Sequence, residues 1–315
     1  MNNHVTVLEI DGKALEHNLH YFKNKLHQNT KILAVVKAFG YGGDGVQIAS
    51  FLKNKVNYFA VAYAHEGEAL RDADIATPIL VLHPQIQNFD QIALHQLEPS
   101  IYNLKTLTAF LAYAEDKALM AYPIHLKFNT GLNRLGFSKE EIPLIIDCIK
   151  KSKHVKIKSI LSHLAASEDV NEQDFTLRQI NNFKQIIQEV CRHLNYTPIA
   201  HILNTSGVIN YPEAQFDMVR IGIGLYGFGN DKTETSHLKN SHILKSTISQ
   251  THVVKIGETV GYNRAFKAKK NTKIATIPIG HADGLSRKLG NGNGSVTILN
   301  QKALIVGNVC MDMIM

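Results

Sequence analysis

Hydrophobic positions in this chain fall into two textures. Up to about residue 235, short apolar runs alternate with longer stretches of helical period. The runs are KILAVV (31–36), YFAVAY (58–63), PILVL (78–82), LEPSIY (97–102), PIHLKF (123–128), IKSILSH (157–163), IAHILN (199–204) and FDMVRIG (216–222). Each predicts a strand. Between them, DGVQIASFLKN, NLKTLTAFLAYAED, EEIPLIIDCIKKS and FTLRQINNFKQIIQEVCRHL predict amphipathic helices, and GKALEHNLHYFKNKL predicts one ahead of the first strand. Eight alternating units are the count of a (β/α)8 barrel. A doubly wound open sheet alternates in the same way. The regular eightfold count favours the TIM-type barrel.

After residue 235 the segments SHILKSTISQTHVVKIG, IATIPIG, SVTILN and QKALIVGNV are rich in Val, Ile and Thr and punctuated by Gly and Asn. They predict antiparallel strands and turns. The expected division is therefore a barrel over residues 1–235 and a smaller antiparallel β domain over 236–315.

In a barrel, chemistry sits at the C-terminal ends of the strands. Lys37 ends the first run. Lys127 lies in the fifth, followed by Asn129, Thr130, Gly131 and Arg134. His163 ends the sixth. Asn204, Thr205, Ser206 and Gly207 follow the seventh, and Arg220, Gly222 and Ile223 come with the eighth. Taken singly, each has an ordinary explanation. A lysine after a strand snorkels to the surface, His163 is a bonded core histidine, Arg220 pairs with an acid such as Asp217, and NTSG caps a helix. Together, five strand ends of one barrel carry polar groups able to converge, which favours a site. Hydroxyl and N–H groups after the last two strands sit where barrels often bind phosphate. A lysine beside a phosphate site suits a Schiff base with pyridoxal phosphate (PLP). Arg220 suits the ring nitrogen; an arginine does not readily give up its proton, so that nitrogen would stay neutral.

The totals narrow the classes. A hydrophobic content of 44% over 315 residues supports a sizeable core. No stretch reaches the roughly 20 apolar residues of a membrane span, and MNNHVTVLEID lacks the pattern of a secretory signal. Cys148, Cys191 and Cys310 are odd in number and far apart, against a disulfide framework. A cytoplasmic protein without membrane contact is expected. The net charge of +7 and pI near 9.1 admit nucleic acid as a partner. The basic residues are scattered, however, with FKAKKNTK (266–273) the densest run, and an anionic cofactor or substrate accounts for the balance equally well. No nucleic-acid partner and no metal are expected.

The motifs themselves resemble those of the alanine racemases. AVVKAFGYGGDG resembles that family's PLP-lysine segment, approximately AVVKANAYGHG. HLKFNTGLNRLGF (125–137) is similar to its KxDTGMxRxGF segment. SHLAASED, HILNTSG, DMVRIGIGLYG, GETVGYNRAF, IPIGHADG and VGNVCMD follow in the family's order, over essentially the whole chain. The wording is nearest to racemase domains fused to a muramyl-peptide ligase, a portion this sequence does not include. The resemblance implies a PLP-dependent, two-base racemase that interconverts L- and D-alanine and supplies D-alanine for peptidoglycan. Lys37 would hold PLP and act on one face of Cα, and Tyr262 from the partner subunit of a homodimer on the other. Arg220 would face the pyridine nitrogen, with His201 behind it and His163 positioning the tyrosine. Tyr41, Thr205, Gly222 and Ile223 would bind the phosphate, with Asn204 beside them. Arg134 would meet the cofactor's phenolic oxygen and the substrate carboxylate, oriented by a carbamylated Lys127. Met311 would offer its N–H to that carboxylate, with Asp312 adjacent.

Three departures carry their own expectations. Asn129 replaces an aspartate and is expected to alter how Lys127 is held. His281 replaces a tyrosine of the entry region and bears on substrate size. The sequence stops at Met315, just after CMD, where family members continue. An incomplete β domain, exposed strand edges and lower stability or activity are expected of it. The competing functions are a racemase of another small amino acid such as serine, and a PLP-binding barrel without turnover.

Overall fold

The computed structural model of the chain describes residues 5–315. It forms two compact units: Ile10–Ser241, and residues 5–9 together with His242–Met315. The division falls at Ser241/His242 rather than at the expected 235/236. Residues 232–236, which straddle the expected boundary, are a short helix capped by Asp231.

After β1 (Val7–Ile10), eight strands build the first unit: β2 (Lys31–Val35), β3 (Tyr58–Val61), β4 (Ile79–Val81), β5 (Glu98–Ile101), β6 (Tyr122–Lys127), β7 (Val155–Leu161), β8 (Ile199–His201) and β9 (Met218–Ile221). Neighbours are parallel and follow chain order from β2 to β8, while β9 returns to the free side of β2. That order is a closed (β/α)8 barrel and excludes the doubly wound alternative. The β8/β9 seam is held by Asp217 N donating to Ala200 O at 3.1 Å and Arg220 N to Leu203 O at 3.0 Å. The Asp217 carboxylate accepts from Ala200 N at 2.8 Å. Asp217 thus closes the barrel and is not the partner of Arg220.

Strand alternation sorts the core into two layers. Ile32, Ala34, Phe59, Val61, Ile79, Val81, Val219 and Ile221 face outward and join the helices in the main apolar cluster. The helix Gln173–Arg192 shows why its sequence packs there. Thr176, Ile180, Phe183, Ile186 and Val190 recur at three- and four-residue spacing and are its buried stripe. Helices begin at side-chain caps just past strand ends: Asp44 accepts from Val46 N and Gln47 N, Asn103 from Thr106 N, and Asn204 from Gly207 N.

The second unit is antiparallel, as expected. Gln250–Val254 pairs with Thr272–Thr276, Thr259–Val260 with Phe266–Lys267, and Ser295–Ile298 with Gln301–Leu304. His242–Lys245 pairs with β1, a segment that the expected boundary places in the barrel. Ile277, Ile279, Ile305, Val309 and Ile314 form its core. Among the described residues no helix is long and apolar enough to cross a membrane.

Candidate active site

Lys37 stands two residues beyond the last residue of β2, outside the strand. The chain then makes a left-handed turn. Ala38, Phe39, Gly40 and Tyr41 all have φ between 54° and 62°. For each non-glycine residue this costs about 1–2 kcal/mol. Hydrogen bonds offset the strain: Gly40 N donates to Val36 O at 2.9 Å and Ala38 N to Glu66 Oε1 at 2.5 Å. The other oxygen of Glu66 accepts from Ala62 N at 2.7 Å and Tyr63 N at 3.1 Å, tying the turn to the end of β3. Only glycine serves at position 40, where a Cβ would lie 2.5 Å from Ile48 Cδ1. The turn delivers Tyr41 onto Tyr226, ring centroids 4.6 Å apart. A Cβ on Gly222 would lie 2.3 Å from the Tyr41 hydroxyl, so that close approach also requires glycine.

A cavity of about 320 Å³ opens at this end of the barrel. It gathers most of the expected residues: Lys37, Tyr41, Lys127, Arg134, His163, Asn204, Thr205, Arg220, Gly222 and Ile223 all line it. Tyr262, Met311 and Asp312 belong to the β unit. Tyr262 is 73% exposed there, on a turn that begins at Gly261 with φ 75°. Met311 is exposed as well.

Arg220 is buried and organises the floor. Its Nη1 donates to His201 Nδ1 at 2.8 Å and to His201 O at 3.3 Å. Its Nη2 donates to Ser162 O at 2.7 Å, Ile202 O at 2.9 Å and His163 Nδ1 at 3.1 Å. A guanidinium has no acceptor, so both histidines accept at Nδ1. His163 therefore keeps a proton on Nε2 and can donate with it.

Thr205 Oγ1 accepts from Gly222 N at 3.1 Å and Gly224 N at 3.3 Å, which pins the strand-end backbone beside the start of Thr205–Asn210. The side-chain oxygen of Asn204 is occupied by Gly207 N and by the Ser167 hydroxyl at 2.8 Å. Its role at the cavity is to shape the backbone. Asn129 organises the turn after β6: its Oδ1 accepts from Gly131 N and Asn133 N, and its Nδ2 donates to Asn133 Oδ1 at 2.8 Å. An aspartate could not make that last bond.

The lining holds four cations, Lys37, Lys127, Arg134 and Arg220, and no carboxylate. Burial and the neighbouring Arg134 and Arg220 hold Lys37 below its usual range, although Glu66 opposes them. Burial, then Arg134, Arg220 and Lys37, bring Lys127 down to about 8. Burial lowers Arg220 to about 10, still charged at neutral pH. Burial raises the Tyr41 phenol. This donor set fits an anionic, phosphate-bearing ligand with an aldehyde for an amine held below its usual range, and the expected PLP is such a ligand.

His163 and His201 sit well below the usual histidine range, first through burial and then through Arg220. The sign follows. The folded protein keeps both neutral, whereas the unfolded chain protonates them near 6.5. Their contribution to stability is complete above about pH 6.5 and drains as pH falls, by about 1.4 kcal/mol per pH unit for each. Urea midpoints at pH 7.5 and 5 measure it, and His201→Gln flattens the dependence. A midpoint unchanged between those values would contradict two neutral buried histidines.

His83, Leu82 and Ala62 also line the cavity and were not singled out in the sequence. A shared offset marks His83. It stands two residues past β4, as Lys37 and His163 stand two past β2 and β7.

Comparison with known proteins gives a consistent picture. The family model of the alanine racemase N-terminal domain matches residues 10–230, and that of the C-terminal domain matches 242–315. The chain is 35% identical over 320 residues to alanine racemase 2 of Oceanobacillus iheyensis, covering 98% of this chain and 78% of that protein. Its structure superimposes on the alanine racemase of Clostridium difficile 630 with a TM-score of 0.93 at 30% identity, over 100% of this chain and 83% of that one. It matches the Bartonella henselae alanine racemase with covalently bound pyridoxal phosphate at a TM-score of 0.86 and 28% identity, over 98% and 85% of the two chains.

Proposed function

Because this chain belongs to the alanine racemase family, a family of PLP-dependent enzymes, we propose that its racemisation of alanine uses Lys37 and Tyr262 as the two proton-moving groups. The observation that carries this reading is the cavity of four cations without a carboxylate, with Lys37, held below its usual range, at its rim. When bound, pyridoxal phosphate supplies an electron sink that acidifies the Cα–H of an amino acid.

The residues divide the remaining work. The Lys37 amine holds the cofactor covalently and moves a proton at one face of Cα. Tyr41 and the backbone N–H of Ile223 take the phosphate beside Thr205, whose hydroxyl holds Gly222 N in place. Both terminal nitrogens of Arg220 are engaged by protein acceptors, and Nε remains as the donor toward a ring nitrogen. Its high pKa prevents proton transfer to that nitrogen.

Tyr262 moves the proton at the opposite face, reaching the cavity of a second copy in a homodimer. His163 Nε2–H steadies the phenol. Arg134 holds the substrate carboxylate together with the Met311 N–H beside Asp312. Lys127 and Arg134 repel as free cations. Carbamylation of Lys127 would reverse that sign, and an amine lowered to about 8 has the neutral form that reacts with carbon dioxide. In this reading the enzyme is a cytoplasmic homodimer, with no membrane or nucleic-acid partner, that supplies D-alanine for peptidoglycan.

Solvent deuterium incorporation into L- and D-alanine, followed by NMR on the purified chain with PLP added, tests the proposal. Exchange into both enantiomers with loss of optical rotation is expected, with serine turning over more slowly. Exchange into neither would overturn it.

A further inference from the structure

Beneath the cavity, the barrel interior is divided. The inward residues Leu33, Val35, Tyr58, Ala60, Leu80 and Met218, on β2, β3, β4 and β9, pack as a small apolar cluster. On the other side the inward residues are polar and buried: Glu98 on β5, His125 on β6, Ser159 on β7 and His201 on β8. These four and Arg220 form one unbroken chain. Arg220 Nη1 lies 2.8 Å from His201 Nδ1, and His201 Nε2 lies 3.0 Å from Ser159 Oγ. Ser159 Oγ lies 2.6 Å from His125 Nδ1, and His125 Nε2 lies 2.7 Å from Glu98 Oε2. The chain starts at the cavity floor and ends at the first residue of β5, toward the opposite mouth of the barrel.

Chemistry fixes every proton in it. The guanidinium only donates, so His201 accepts at Nδ1. A neutral imidazole then carries its proton on Nε2 and gives it to Ser159. The hydroxyl has one proton and offers it to His125 Nδ1. His125 must therefore carry its own proton on Nε2, facing the Glu98 carboxylate, which accepts. Reversing the bond at His201 Nε2 or at Glu98 leaves an imidazole without a proton, and reversing the Ser159–His125 bond requires a doubly protonated His125. The chain has one polarity, running from cation to carboxylate.

We propose that Glu98 is a positioning residue for Arg220: through His125 and Ser159 it holds His201 as an acceptor and so fixes the guanidinium at the cavity floor. The proton order rests on the hydrogen bonds alone, while its effect on turnover rests on Arg220 serving the cofactor ring as read above. Without the Glu98 acceptor, His125 is free to carry its proton on Nδ1. Ser159 then turns its hydroxyl to His201 Nε2, and His201 must place its proton on Nδ1, against Arg220.

Nitrogen-15 NMR of the full chain labelled at histidine, with PLP added, reads these protons directly. In wild type, both His125 and His201 are expected to be protonated at Nε2 and to accept at Nδ1. Glu98→Gln keeps an acceptor oxygen in place and is expected to preserve both tautomers. Glu98→Leu is expected to move the His201 proton toward Nδ1. Outer partners of metal-bound histidines are worth about ten- to hundredfold, and on that scale kcat falls about tenfold in Glu98→Leu, with KM little changed, and stays within about twofold in Glu98→Gln.

Ser159→Ala cuts the chain midway and disturbs His201 whether or not the Glu98 variants fold. A wild type with Nδ1–H on either histidine overturns the proposal. So does a folded Glu98→Leu, or Ser159→Ala, with the His201 tautomer and kcat unchanged. Correct tautomers in a chain that does not racemise would support the proton order and count against the catalytic reading. Racemisation with the wrong tautomers would do the reverse.

Discussion

Lys37→Ala is expected to remove racemisation of alanine in both directions. Loss of a positioned base alone lowers turnover by about 10²–10⁴, and here the covalent hold on the cofactor goes with it. The argument begins with the amine's surroundings. Lys37 is part-buried and faces Arg134 and Arg220, which favour its neutral form. That form is the one able to bond an aldehyde or accept a proton. No other lysine is placed to substitute. Lys127, also in the cavity, is fixed on β6. Stability should not suffer, because the substitution removes one of four mutually repelling cations. Initial rates from each enantiomer at saturating PLP check the first claim. Borohydride reduction followed by peptide mapping checks the second, since wild type should carry the label on the peptide containing residue 37 and the variant should carry none. Turnover within tenfold of wild type would remove Lys37 from the mechanism.

Tyr262→Phe should produce a different signature. Its hydroxyl is the only group removed, and the ring is 73% exposed in the β unit, so the fold should melt as before. Cofactor binding should persist, because the lysine and the phosphate contacts belong to the barrel unit. Racemisation should fall by about 10²–10⁴. Deuterium should still enter one enantiomer, carried by Lys37, while the other ceases to exchange. A merely structural role would lower both exchanges together. Mixing Lys37→Ala with Tyr262→Phe subunits adds a test of sharing between copies. Two inactive proteins should regain up to about a quarter of wild-type activity if each site draws its two bases from different chains, as random pairing in a twofold dimer gives one intact site in half the dimers.

Much of this arrangement could be read before any coordinates. The eight barrel strands were legible because each is a short apolar run cut off by polar residues. Their ends were not. YFAVAY, IKSILSH and IAHILN were read through to Tyr63, His163 and Asn204, whereas the ladders stop at Val61, Leu161 and His201. Backbone past those points bonds elsewhere, as Tyr63 N does to Glu66. The left-handed turn at 38–41 was hidden because Ala38, Phe39 and Tyr41 are not residues that announce positive φ; only Gly40 hints at it. Cavity residues carried by charge, such as Lys37, Arg134 and Arg220, were found. His83 was passed over because its run ended one residue before it. Glu98, Ser159 and His125 were absorbed into strand patterns, where a lone polar residue looks like a fluctuation. Their meaning lies in being neighbours across three adjacent strands, which no one-dimensional pattern displays.

The division of the barrel interior bears on how this sequence can drift through evolution. Leu33, Leu80 and Met218 belong to the apolar cluster, and exchanges among such residues usually cost less than about 1.5 kcal/mol each. Lineages can cross them one substitution at a time. Across the barrel, a single replacement in the Glu98–His125–Ser159–His201–Arg220 series is tolerated only where it keeps the donor or acceptor its neighbours need, as Glu98→Gln does. Other changes there must come as a set. Homologues should therefore vary freely on one wall of the same barrel and fall into a few discrete, internally consistent classes on the other.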